Sequence, residues 1–113
     1  MMRLLQRQAD GNITLTGPFS RGNIPPYAIL SHTWGTPEEE VTFQVMELRD
    51  GTARKKRGYK KIEFCVNRAK KVGLEYSWVD TCCIDKTNSV ELGAAINSMF
   101  VWYQKSERCF VYL

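Results

Sequence analysis

Tyr27-Ala28-Ile29-Leu30-Ser31-His32-Thr33-Trp34-Gly35 is the stretch from which the fold can be read. Four consecutive apolar residues, too few for a helix and followed at once by polar and turn-forming ones, describe a strand buried on both faces whose carboxyl end opens into a loop. The same grammar recurs in Tyr76-Ser77-Trp78-Val79, which ends at Asp80-Thr81, and Cys109-Phe110-Val111-Tyr112-Leu113 is β-prone throughout. Between the first two runs, Ile62, Cys65, Val66, Ala69 and Val72 recur at helical spacing from Tyr59 onward, with Gly73 as the stop. Between the second and third, Asn88 is an N-cap with Glu91 in the capping-box position, and Leu92, Ala95, Ile96, Met99 and Tyr103 mark one face. Strand, helix, strand, helix, strand with crossovers of this length predicts an α/β fold, an open three-layer and mostly parallel sheet with helices on its faces.

Upstream of this core, Met2 to Leu5 and Ile13 to Leu15 flank the turn signal Asp10-Gly11-Asn12, which predicts a small N-terminal hairpin. Gly17-Pro18 to Pro25-Pro26 interrupts regular structure. Residues 36 to 58 combine Pro37, the triplet Glu38-Glu39-Glu40, a short Val41-Thr42-Phe43 run and Gly51, and read as a long, partly mobile excursion.

The 113 residues allow one small domain, and 43% hydrophobic with 25% charged residues excludes a disordered or fibrous chain. The formal charge of +4 is unevenly spread. Arg54, Lys55, Lys56, Arg57, Lys60, Lys61, Arg68, Lys70 and Lys71 face a single anion, Glu63, within residues 54–71. Half of that cluster lies on a helix with an apolar face, so a solvated surface is its plain reading, and contact with nucleic acid or anionic lipid has only weak support from it. No window reaches the length of a membrane span and the amino terminus lacks a signal core, which points to the cytoplasm. Cys65, Cys82, Cys83 and Cys109 form no CxxC pair and read as mostly buried thiols of a reducing compartment, with no metal site. Neither GxGxxG nor GxxxxGK[ST] occurs.

In open α/β sheets ligands sit outside the carboxyl ends of the strands, here Ser31 to Gly35 and Asp80 to Lys86. His32 is the only histidine, so it builds neither a metal cage nor a triad alone. It either pins its loop to a neighbouring strand end or touches a ligand, with Trp34 as a stacking wall or as packing under the loop. Cys82 or Cys83 with His32 and Asp80 are the residue types of a cysteine hydrolase, without local support for it. A zinc site from Cys82, Cys83, His32 and Asp85 would be strained by its adjacent thiols.

Four segments, YAILSHTWG at 27–35, GYKKI at 58–62, YSWVDTCCIDK at 76–86 and INSMFVWY at 96–103, resemble the heterokaryon incompatibility (HET) domain of filamentous fungi across almost the whole chain. The resemblance implies a module of fungal non-self recognition whose activation triggers programmed cell death. HET domains are in turn distantly similar to TIR domains, which implies a flavodoxin-like sheet and self-association or a partner protein domain. It also brings an alternative, an NAD-hydrolysing enzyme or the nucleotide-binding part of one, with NAD as substrate rather than resident cofactor. By that similarity Ser31, His32, Trp34, Asp80, Asp85 and Lys86 line the cleft, and no catalytic residue is assigned. TIR enzymes take a catalytic glutamate from a helix after the third strand, and HET domains carry a further Trp/Arg/Glu block downstream. The chain stops at Leu113, so a single HET domain lacking its third block, and without full catalysis, is the expectation.

Overall fold

The computed structural model describes residues 2–112. Its hairpin, β1 (Leu5–Arg7) and β2 (Ile13–Leu15), closes at Gly11, whose φ of 87° suits a residue without a Cβ. Asp10 steadies the turn by accepting the Asn12 N–H at 2.9 Å. The apolar run Tyr27–Leu30 becomes β3 (Tyr27–His32), followed by α1 (Phe43–Leu48), α2 (Thr52–Lys55) and α3 (Tyr59–Lys71). Then come β4 (Tyr76–Trp78), α4 (Ser89–Lys105) and β5 (Arg108–Tyr112). Leu113, included in the expected last strand, lies outside the described residues.

The strands form one five-stranded sheet in the order β2-β1-β4-β3-β5. The three core strands are parallel, with Ala28 beside Ser77 on one side and beside Arg108 on the other. The expectation of a mostly parallel sheet needs correction beyond them. β1 pairs antiparallel with β4 as well as with β2, because the hairpin docks on the otherwise open edge of β4 and makes the sheet mixed.

Alternation along β4 assigns the layers. Ser77 turns toward Cys65 of α3, while Trp78 packs against Trp102 and Tyr103 of α4 at centroid distances of 5.4 and 6.2 Å. Helices therefore cover both faces, as expected for three layers. β3, flanked by strands on both sides and helices on both faces, has Tyr27 to Leu30 almost entirely out of water, which is why no polar residue appears until Ser31.

In α3 the predicted face is buried at Ile62, Cys65, Val66 and Ala69, while Val72 emerges at the C-cap and Gly73 ends the helix at a φ of 81°. α4 differs more. The Asn88 side chain caps Val90 and Glu91, but the Glu91 carboxylate does not return to Asn88. It accepts the Asp85 N–H at 2.7 Å and the Arg3 guanidinium at 2.5 Å. Of the predicted face only Ala95 is fully buried, and Ile96 is 60% exposed because it sits a third of a turn away from the row that Leu92, Ala95, Met99 and Trp102 direct at the sheet.

The excursion is ordered by its own apolar anchors: Val41, Phe43 and Met46 are buried, and Thr42 caps α1 by accepting the Val45 N–H at 3.2 Å. Cys65, Cys82 and Cys83 are buried free thiols, but Cys109 is exposed, because α4 leaves its side of β5 uncovered. On the opposite side of that strand Tyr112 packs edge-on against Phe64. No helix of the described residues is long and apolar enough to cross a membrane.

Candidate functional site

His32 is the last residue of β3 and lies beside Tyr112 of β5. Its imidazole is almost wholly buried and both ring nitrogens are engaged. Nε2 lies 2.8 Å from Asp80 Oδ1, and Nδ1 lies 3.0 Å from Lys61 Nζ. An ammonium can only donate, so Nδ1 is the acceptor and Nε2–H donates to Asp80. The other Asp80 oxygen accepts the Trp34 indole N–H at 3.1 Å. Lys61 spends its remaining protons on the Thr33 carbonyl at 3.0 Å and Glu40 Oε2 at 2.6 Å, and Glu40 also accepts the Gly35 N–H at 2.6 Å. The result is a continuous chain, Glu40–Lys61–His32–Asp80–Trp34, that ties the exits of β3 and β4 to the start of α3. No buried side-chain polar atom among the described residues is left without a partner.

Two glycines make room for it. A Cβ on Gly58 would stand 2.6 Å from Glu40 Oε1 and 2.8 Å from the Glu39 carbonyl, and one on Gly35 would stand 3.1 Å from Glu39 Oε1. Glu39 itself accepts the Thr36 N–H and hydroxyl and the Arg57 guanidinium, each at 3.0 Å. Those bonds, the Thr36 N–H foremost, hold its carboxyl down to about 2.

Trp34 is 56% exposed. The Lys86 ammonium lies 4.2 Å from its ring centroid, and the His32 ring runs nearly parallel to it at 6.4 Å. Beside this group a cavity of about 340 Å³ opens between the ends of β3 and β5, walled by Trp34, Gly35, Glu39, Arg57, Lys60 and Tyr112 among others.

Of the residues expected in the cleft, His32, Trp34, Asp80 and Lys86 come together. Ser31 is half-buried within β3 and takes no part in the network. Asp85 is turned away, closing its own loop: it accepts the Thr87 hydroxyl at 2.6 Å and N–H at 3.1 Å and the Gln44 amide at 2.9 Å, bonds that lower its pKa, the hydroxyl bond most. The cysteine hydrolase arrangement is not assembled either. Cys83 Sγ accepts the Val79 N–H and Cys82 Sγ faces the Val79 carbonyl, while the bond to Cys83 and burial push the Cys82 thiol well up, away from a thiolate. Among the described residues no cluster of metal-binding groups exists.

Glu40 and Lys61 are the partners that sequence reasoning missed, one inside an acidic triplet and one inside a basic run. The signal available was Val41, whose burial draws the adjacent carboxylate inward, and the need of a buried histidine for two partners.

The family model described as Heterokaryon incompatibility protein (HET) matches residues 27–113. Vegetative incompatibility protein HET-E-1 of Podospora anserina is 56% identical over 112 residues, covering 99% of this chain. The chain spans 8% of that relative's length. No solved structure matches. The matched segment contains every member of the Glu40–Lys61–His32–Asp80–Trp34 network, and the chain belongs to the heterokaryon incompatibility family.

Proposed function

We propose that this chain is an effector module of vegetative incompatibility in the fungal cytoplasm, triggering cell death through TIR-like association with copies of itself or with a partner domain. The single observation that carries the reading is α4. Residues 92–104 are thirteen in a row without a formal charge, yet Ala95 is the only fully buried residue of the helix. Val90, Ile96 and Phe100 stand 60 to 81% exposed, and Val111 of the neighbouring β5 is 57% exposed. A helix apolar on so much of its surface is normally covered, and an exposed patch of this kind marks a contact surface. Phe100→Glu tests it: because the side chain lies in water, the melting temperature should hold while self-association in solution and cell death on expression in a fungus are both lost. Death that persists with Phe100→Glu would sink the reading.

The second reading, cleavage or binding of NAD, is favoured by the exposed Trp34 at the mouth of the cavity. His32 supports it less, since neither ring nitrogen is free to take a proton from a substrate without breaking a buried bond. Consumption of NAD by the purified chain, lost in Trp34→Ala, would support it. Absence of consumption alongside intact killing would leave the effector reading alone.

A further inference from the structure

We infer that the crevice between the carboxyl ends of β3 and β5 binds a planar heterocycle carrying one phosphate group, a ligand of mononucleotide size, with Lys60 and Arg57 at the phosphate and Trp34 and Tyr112 at the ring. This rests on the second reading above only in needing a ligand at the site; it requires no cleavage.

Topology is the first support. β3 continues through α3 to β4 on one side of it, and β4 continues through α4 on the opposite face to β5 on the other side, so the strand order reverses at β3 and leaves a gap at the carboxyl ends of β3 and β5, the place where open α/β sheets take ligands. The cavity lies in that gap, with Thr33, Trp34 and Gly35 from the exit of β3 and Tyr112 from the end of β5.

Charge is the second support. The titratable groups around the cavity are Glu39, Glu40, Arg57, Lys60, Lys61 and Tyr112. Glu40 is neutralised by Lys61 and Glu39 by Arg57. Lys60 has no carboxylate partner among the described residues, so the cavity carries one cation in excess. Arg57 is 81% exposed and gives one Nη1 bond to Glu39, which leaves further guanidinium donors for a phosphate.

The third support is the wall. Trp34 is oriented by its bond to Asp80 and presents more than half its surface to water, so a ligand ring can stack on it either beside the Lys86 ammonium, 4.2 Å from its centroid, or in that ammonium's place. Size then selects the class. About 340 Å³ lies at the low end of the roughly 300–1,000 Å³ of small-molecule sites, room for one base, one ribose and one phosphate.

The test is calorimetric titration of the purified chain with adenosine 5′-monophosphate, adenosine, inorganic phosphate and NAD. The monophosphate should bind, with adenosine and phosphate each about tenfold weaker or worse, and NAD no tighter than the monophosphate. Lys60→Glu, on an exposed helical position, should weaken the monophosphate about tenfold or more and flatten its salt dependence, while Trp34→Phe, which keeps a ring, should retain more binding than Trp34→Ala. Phosphate binding as tightly as the monophosphate would reduce the site to a patch of positive charge and overturn the inference. So would NAD binding tenfold tighter than the monophosphate, indifference to Lys60→Glu, or no binding at millimolar concentration. Binding of the monophosphate without any cleavage of NAD would keep this inference and remove the enzymatic reading; cleavage of NAD without monophosphate binding would do the reverse.

Discussion

At the scale of single residues, Asp80 holds two N–H donors, one of them on a buried ring. Truncating it leaves the Nε2–H of His32 without an acceptor, a loss of about 1–3 kcal/mol. Asp80→Ala should therefore lower the melting temperature by several degrees, since roughly 4–8 °C follows each kcal/mol in a domain of about this size. Trp78→Ala, which empties a fully buried site against two aromatic rings, should cost about 3–5 kcal/mol and abolish folding in a marginal domain. Asp80→Asn keeps an acceptor for His32 and should fall between wild type and Asp80→Ala. Thermal denaturation of the three variants decides the matter, and an unchanged melting temperature for Asp80→Ala would show that the network contributes nothing to the fold. The buried ring of His32 ties the exit of β3 to Asp80 through one nitrogen and to Lys61 through the other.

Among the elements, the approach of the excursion to the start of α3 is the tightest packing at the site, and Gly58 is where it can be tested. Its φ of −66° suits any residue, so only space is at issue. An added Cβ would meet the Glu40 carboxylate and the Glu39 backbone at under 3 Å, and the backbone cannot swing aside, because Gly58 N–H donates to that same Glu39 carbonyl at 2.7 Å. Gly58→Ala should destabilise by about 1–3 kcal/mol. Gly93, inside α4, has nothing within 4 Å of its would-be Cβ, and Gly93→Ala should stabilise by about 0.5–1 kcal/mol through helix propensity. Urea unfolding of both variants should move the midpoint in opposite directions; a shift of the same sign would contradict the packing described. The space around each glycine is not visible in the sequence, where Gly58 merely precedes one helix and Gly93 lies within another.

Over the whole molecule, the two helical layers protect the thiols unequally. Cys65 lies between α3 and the sheet, and burial pushes its thiol up to about 12. Cys82 and Cys83 are sealed beneath the loop after β4, while Cys109 looks out from the uncovered side of β5. Reaction with an aromatic disulfide reagent should therefore show one accessible thiol, lost in Cys109→Ser, and three that react only as the chain unfolds. Two or more accessible thiols in the native protein would mean that the core around Cys65 or Cys82 opens without global unfolding. The exposed side of β5 that frees Cys109 also carries Val111, 57% exposed and one of the residues on which the association reading rests.

The order of the three core strands with α3 and α4 between them, the hairpin and the α/β class follow from the sequence alone, because an apolar run of four and a helical period of apolar residues are local properties that the backbone obeys wherever it lies, whereas α1 and α2 fall in the stretch that read as an irregular excursion. That His32, Trp34, Asp80 and Lys86 lie near one another was legible for a related reason: they sit at or beyond the carboxyl ends of β3 and β4, parallel strands that end at one edge of the sheet. Tertiary structure alone decided the rest. Asp85 shares a loop with Asp80 yet is taken up by Thr87 and Gln44, and Lys61 and Glu40, hidden among like charges, are selected by which ammonium the buried imidazole can reach and which carboxylate that ammonium can reach. The antiparallel docking of β1 on β4 and the outward turn of Ile96 were likewise beyond local pattern, since both depend on where a distant surface lies when the chain arrives there.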